Sequence, residues 1–216
     1  MDTKFFKLLL VIPLILFSCK GKRVDTQEGN QIKDEKNMES TFTPSLADLP
    51  EEPIFEIETS EGTIKVKLYK ETPLHRDNFA KLALEGFYDG IRFHRVVNGF
   101  MIQAGNPATK PGNNPEDTGP GYMIPAEILP IFTHQKGALA AARIGDAANP
   151  ERKSSGSQFY LVQSENGAKH LDGNYTIFGE TLSGFDVIDK IAATQRPGTE
   201  APSKDITIIS IKAVIE

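Results

Sequence analysis

A chain of 216 residues with one cysteine, Cys19, can form no intrachain disulfide and no multi-cysteine metal site, so its fold must hold by packing alone. Basic excess is also missing. With a formal net charge of −5, 39% hydrophobic and 25% charged residues, there is enough apolar material for a core and little to attract a phosphate backbone, which argues against nucleic acid as a partner. The sequence carries no P-loop, no dinucleotide glycine motif, no His-Glu-x-x-His pattern and no CxxC pair. His75, His94, His134 and His170 lack metal-ligand spacing and read as surface or hydrogen-bonded side chains. Ser157, in Gly156-Ser157-Gln158, lacks the glycine of a nucleophile elbow. Covalent, metal and cofactor chemistry are therefore not expected.

What is present begins with the N-terminus. Lys4 and Lys7 precede an apolar run from Leu8 to Phe17 that is too short to span a membrane, for which about 20 apolar residues are needed. That order, closed by Ser18, is the pattern of a secretory signal over residues 1–18. Leu16-Phe17-Ser18-Cys19 resembles the lipobox of bacterial lipoproteins, in which the cysteine is acylated and becomes the mature N-terminus. The reading is a lipid anchor at Cys19 and a place in the cell envelope, facing the periplasm or the cell exterior. Residues 19–52 then read as a polar, mixed-charge tether with no apolar period, whose reach as a flexible coil is about 30 Å.

From residue 53 the texture changes. Phe55 and Ile57 alternate with Ile54, Glu56 and Glu58, and Ile64, Val66 and Leu68 alternate with Lys65, Lys67 and Tyr69, with Glu61-Gly62 between, which predicts a hairpin with one wet face. Thr72 offers an N-cap and Pro73 a first helical position for a helix ending at Gly86. Further strands are expected over 91–97, 100–104, 137–142, 158–163, 176–180 and 206–214, with a second helix over 185–191 capped by Ser183 and Asp186. Many strands and two helices point to a mainly β fold, a closed antiparallel barrel with a helix over each end. Residues 106–135, rich in Gly, Pro and Asn, form a long surface loop in this reading. No coiled coil or large apolar stripe argues for assembly, so a monomer is expected.

The most specific stretch is Phe93-His94-Arg95-Val96-Val97-Asn98-Gly99-Phe100-Met101-Ile102-Gln103-Ala104-Gly105. Strand alternation puts Phe93, Arg95 and Val97 on one face, and a turn at Asn98-Gly99 brings Phe100, Met101 and Gln103 alongside. On spacing alone Arg95 reads equally well as part of a mixed pocket or as an arginine lying over the barrel wall with its charge in water.

These residues resemble the cyclophilin family, and the resemblance extends over about residues 54–216. Pro73, Asn78-Phe79 and Leu82 match its first helix, and Phe87-Tyr88-Asp89-Gly90 match the exit from it. Gly119-Pro120-Gly121-Tyr122 with Glu127 resembles its bacterial branch, and Gly156-Ser157-Gln158-Phe159-Tyr160, Leu171-Asp172-Gly173-Asn174-Tyr175 and Phe178-Gly179 follow in order. The resemblance implies an eight-stranded barrel capped by two helices and a prolyl isomerase acting on proline-containing peptides and unfolded chains. It puts the catalytic arginine at Arg95, the proline pocket at Phe100, Met101, Tyr160 and Leu171, and substrate-backbone positions at Gln103 and Ala142, with Gln158 nearby. His170 stands at the groove rim where many members have tryptophan; it covers less apolar area, so weaker binding of cyclosporin, the family's cyclic-peptide inhibitor, is expected. Tyr160 stands where phenylalanine is common, Arg143 where asparagine is usual, and residues 144–155 form a longer loop than usual. A binding module or chaperone that uses the same groove without turnover is the alternative function; a structural barrel without a site is a third.

Overall fold

The structure, a computed structural model, describes residues 44–215. The expected signal segment over 1–18, Cys19 and most of the expected tether lie outside the described residues. Strand β1 (Ile54–Thr59) and strand β2 (Gly62–Leu68) form the expected antiparallel hairpin, with Glu56 opposite Lys65. Phe55, Ile57, Ile64, Val66 and Leu68 are fully buried, while Glu56 and Lys65 pair on the wet face at 3.0 Å. A period of two has here sorted apolar from charged side chains directly.

Helix α1 (Pro73–Leu84) buries Phe79, Leu82 and Ala83 against the sheet. Thr72 stands at its N-cap but makes no side-chain cap. Instead Glu127, from the surface segment, accepts the backbone N–H groups of Leu74 and His75, both at 3.0 Å. A carboxylate there satisfies two orphan donors and faces the positive end of the helix.

The chain continues through β3 (Arg95–Val97), β4 (Met101–Ala104), β5 (Met123–Ile124), β6 (Ala138–Ala141), β7 (Ser154–Ser155), β8 (Phe159–Val162) and β9 (Ile177–Ser183) to α2 (Phe185–Ala192) and β10 (Ile208–Val214). Eight strands form one antiparallel sheet in the order β10-β1-β2-β9-β6-β8-β4-β3. The expectation of a closed barrel is corrected: the sheet curls into an open half-barrel with β3 and β10 at its two edges. The strand expected over 91–97 is regular only from Arg95, and the seam is crossed by a single bridge between Arg92 and Thr207. Beyond it the edge of β3 turns to a different partner, the Val96 N–H donating to the Glu200 carbonyl at 2.7 Å. The connection between α2 and β10 thus takes the place that a closing ladder would occupy.

Three further expectations change. Helix α2 is not capped by Ser183 and Asp186; its N-cap is Gly184, at φ 88°, where an added Cβ would lie 2.4 Å from the Thr63 carbonyl oxygen. The 106–135 segment is irregular for most of its length, but β5 within it pairs with β7 in a separate two-stranded ladder. The C-terminal end of the expected tether is ordered as well: Ser45 and Asp48 bracket a 3-10 turn at Leu46–Asp48, and Leu49 packs against the core. No helix among the described residues is long and apolar enough to cross a membrane.

Two apolar clusters result. The larger lies between the sheet and the two helices; the smaller joins Met101, Ala140, Tyr160, Val162 and Ile177 and carries Phe100, Leu171 and Tyr175 at its margin. The smaller one backs the site.

Candidate active site

The turn at Asn98-Gly99, with Gly99 at φ 81°, returns the chain from β3 to β4 so that Arg95 pairs with Gln103 and Val97 with Met101. Phe93 does not share that face: it is buried in the larger core, because the regular strand begins only two residues later. On the far side β4 pairs with β8, which sets Tyr160 opposite Gln103. Ala104 ends β4, and Gly105 follows at φ 91°; a Cβ at that position would meet the Ser157 carbonyl oxygen at 2.2 Å, so only glycine lets the two chains approach this closely.

Arg95, Phe100, Met101 and Gln103 line one side of a cavity of about 290 Å³. Ala142, Tyr160, His170 and Leu171 line the other, together with Arg143 and Tyr175, which the sequence reading did not include among the site residues. Gln158 borders a neighbouring groove of about 530 Å³ that shares Gln103, Ala142 and Arg143 with the first and is flanked by exposed Tyr122, Met123 and Ile144. An extended peptide can lie along the two.

Arg95 is a half-buried cation over an apolar floor. Its guanidinium carbon lies 5.9 Å from the centre of the Phe100 ring, and Nη1 reaches the Met101 sulfur at 3.8 Å and Gln103 Oε1 at 3.5 Å. Gln103 in turn donates to Gln158 Oε1 at 3.1 Å. The other edge of the fork is held by Glu200: Nε donates to Oε2 at 2.6 Å and Nη2 to Oε1 at 3.3 Å. Glu200 is 105 residues away in sequence, and no local signal marks it.

Ala142 lines the cavity with both of its backbone groups already engaged, its N–H by Gln158 and its carbonyl by Ser155. The backbone N–H and C=O of Arg143 have no partner among the described residues. Arg143's side chain donates from Nε to the Asn174 carbonyl at 2.9 Å, pairs with Asp146 and stacks 4.4 Å from the Tyr175 ring centre. That leaves its backbone as the free polar edge of the groove.

Behind the cavity wall Tyr160 is tied to a buried histidine. His134 Nδ1 lies 2.7 Å from Asp172 Oδ1 and Nε2 lies 2.9 Å from the Tyr160 hydroxyl. His134 Nδ1–H donates to the Asp172 carboxylate, so Nε2 of the neutral ring accepts from the phenol. Burial, opposed by the Asp172 hydrogen bond and charge, pushes His134 below the ordinary imidazole range, and burial keeps Tyr160 protonated. Both effects favour this proton arrangement. At the rim the His170 ring lies 5.2 Å from that of Phe100.

A second carboxylate, imidazole and hydroxyl occur at His75, whose Nδ1 lies 2.6 Å from Glu127 and whose Nε2 lies 2.9 Å from Ser154 Oγ. The order is that of a nucleophile-activating triad. Access is lacking: Ser154 is 1% exposed, and the void beside His75 amounts to about 10 Å³, no more than the space of one water.

The family model described as "Cyclophilin type peptidyl-prolyl cis-trans isomerase/CLD" matches residues 54–213. A peptidyl-prolyl cis-trans isomerase of Synechococcus elongatus is 42% identical over 162 residues, covering 74% of this chain and 95% of the relative. Among solved structures, a cyclophilin type peptidyl-prolyl cis-trans isomerase from Cryptosporidium parvum superposes with a TM-score of 0.66 at 26% identity, covering 76% of this chain and 99% of the other. The same Cryptosporidium protein, in a crystal structure obtained in the presence of the dipeptide Ala-Pro, gives a TM-score of 0.65 at 25% identity with the same coverage.

Proposed function

The chain belongs to the cyclophilin-type peptidyl-prolyl cis-trans isomerase family and is a peptidyl-prolyl cis-trans isomerase; we propose that Arg95 is its catalytic group and that the cavity beside it holds the proline ring. The barrier to be lowered is amide resonance, about 18 to 20 kcal/mol, and no bond has to break. As the C–N bond twists, the prolyl nitrogen becomes pyramidal and its lone pair becomes available. A guanidinium donor fixed beside that nitrogen binds the twisted state more strongly than either planar state, which is what lowers a barrier. Arginine suits this role because it stays charged and presents a rigid fork of donors. Phe100, Met101, Tyr160 and Leu171 grip the ring, while Gln103, Gln158 and the free backbone edge at Arg143 hold one flank of the peptide, so that the other flank turns. The observation that carries this reading is the Arg95 guanidinium standing over the Phe100 face with Gln103 beside Nη1.

The substrates in this reading are proline-containing peptides and unfolded segments, in line with the Ala-Pro dipeptide supplied to the Cryptosporidium relative. The deciding experiment is turnover of a peptide enriched in the cis X-Pro form. Arg95→Ala is expected to keep the fold and lose two to three powers of ten in efficiency, on the order of a lost charged transition-state donor. Wild-type turnover in the folded variant removes Arg95 from the mechanism.

For the N-terminal part we propose a bacterial lipoprotein: a signal over 1–18, acylation of Cys19, and a tether that holds a monomeric domain off the membrane in the cell envelope. Its support is the single cysteine falling where a lipobox needs it, after Leu16-Phe17-Ser18. Labelled fatty acid is expected to enter the wild type and not Cys19→Ser; equal labelling rejects the anchor.

A further inference from the structure

Arg95 lies on a three-residue edge strand, and its side chain is 36% exposed. A long cation in that setting samples many rotamers unless something holds it. Gln103 and Met101 touch only Nη1, at 3.5 and 3.8 Å, and both contacts are long. The short contact is with Glu200, whose two oxygens take Nε–H and one Nη2–H in a bidentate pair, leaving three of the fork's five N–H groups for other partners.

Glu200 is itself held in place. The connection that carries it folds back through a bridge between Gln195 and Pro202, with Arg196 N–H on the Ala201 carbonyl at 2.8 Å and Ser203 N–H on the Thr194 carbonyl at 2.7 Å. It is fastened to the strand end by Gln195 Oε1, which accepts the Asn98 N–H at 2.8 Å, and by the Glu200 carbonyl, which accepts the Val96 N–H at 2.7 Å. The backbone of Glu200 thus binds the residue next to Arg95 while its side chain binds Arg95. The hydrogen bond and charge of Arg95 in turn hold the Glu200 carboxyl below its ordinary range, so it remains an anion at neutral pH.

We propose that Glu200 is a positioning residue for the isomerase reaction: it fixes the Arg95 guanidinium by its Nε and Nη2 edge and so presents the Nη1 side to the prolyl nitrogen. The inference rests on the catalytic assignment of Arg95. The open seam between β3 and β10 has a use in this light, since it is the connection lying along that edge which carries the carboxylate. An aligned donor stabilises the twisted amide, whereas a wandering one must be ordered at each turnover; the effect therefore falls on kcat rather than on substrate binding. Fold stability is little affected, because an exposed ion pair contributes little to it.

The test is a double-mutant cycle in the peptide assay. Glu200→Ala is expected to lower kcat about tenfold with KM and the unfolding midpoint little changed, and Glu200→Gln, which keeps one acceptor oxygen, to lower it about threefold. In an Arg95→Ala background, Glu200→Ala is expected to change nothing further, because its only route to the reaction is gone. Wild-type kcat in Glu200→Ala while Arg95→Ala is impaired overturns the positioning role and leaves the Arg95 assignment standing. The same loss from Glu200→Ala with and without Arg95 also overturns it, by showing that Glu200 acts through something else. Wild-type turnover in Arg95→Ala is the separate outcome that removes the premise.

Discussion

His75 and His134 are wired alike: each puts Nδ1 on a carboxylate oxygen, at 2.6 and 2.7 Å, and each meets a hydroxyl at Nε2, at 2.9 Å in both. Their surroundings separate them. His75 joins the N-terminus of α1 to the surface segment through Glu127 and to β7 through Ser154, and it lines neither groove. His134 joins the chain ahead of β6 to Asp172, beside Leu171 of the cavity wall, and to Tyr160 on β8, which is itself cavity wall. A carboxylate fixes the tautomer and ring orientation of a histidine, and the histidine then holds whatever hydroxyl it faces. The first relay braces the fold, and the second braces the pocket.

The largest expected effect is on the side with no role in turnover. His75→Ala strips the Glu127 carboxylate, 13% exposed, of its imidazole and leaves the buried Ser154 hydroxyl unpaired beside a new cavity. A loss of about 3 to 4 kcal/mol in unfolding free energy follows, read from urea denaturation, with kcat/KM of the folded protein unchanged. A fall in kcat/KM of the folded variant breaks the division between the relays. His134→Ala is the converse: about 2 to 3 kcal/mol of stability and, because Tyr160 and Asp172 lose their common anchor, a KM raised about tenfold. An unchanged KM there detaches His134 from the pocket.

The two relays also mark where the sequence was legible. Phe55, Ile57, Ile64, Val66 and Leu68 could be assigned to the core because alternation is a local property that the pleat of a strand enforces. Arg95 and Gln103 could be placed together because Asn98-Gly99 sets the register of the strands it joins. Helix starts were read by the same local logic, which placed Thr72 at the N-cap and Pro73 at the head of α1 but missed the groups that complete the caps. Glu127 reaches the start of α1 from 53 residues away and displaces the cap expected of Thr72, while the approach of Thr63 puts glycine where Ser183 and Asp186 had suggested a cap. Edge closure failed for a related reason, since Val96 finds the Glu200 carbonyl, a choice between two remote partners that no window of sequence contains. His134 and Asp172 stood in the sequence as a scattered histidine and one letter of a motif, and only the fold brings them under Tyr160.

Tyr160→Phe is a milder test of the pocket relay, because it removes one hydroxyl and keeps the ring. The His134 Nε2 atom then lacks its donor in a buried site, at about 1 to 2 kcal/mol of stability. Turnover is expected to stay within about twofold of wild type, since the apolar wall that grips proline is retained. A tenfold loss instead gives the hydroxyl a direct part in substrate binding.

The smallest effect is a difference in acid response. The folded state holds His134 below the ordinary imidazole value, first through burial and also through the neighbouring His170, against the opposing pull of Asp172. As pH falls the unfolded chain therefore takes up the proton first. The stability that neutral His134 contributes is complete above about pH 6.5 and declines from there until the folded-state imidazole is also protonated. The carboxylates respond later. Burial pushes Glu127 and Asp172 up, but the hydrogen bonds that each accepts from its histidine and nearby backbone outweigh it, so both lie below the usual range; their contributions begin to fall only below about pH 4, the ordinary carboxyl range. His94, pushed down by burial, adds a slope of the same sign as His134 and must be subtracted. His134→Gln does this, because it keeps His94 and removes the titrating ring. Wild type is expected to be the more stable at pH 7.5, and the gap between the two urea midpoints to narrow at pH 5. A gap that stays constant means that His134 does not take up its proton more readily in the unfolded chain, and the pocket relay then holds Tyr160 with a charged imidazole, Nε2–H donating to the phenol oxygen.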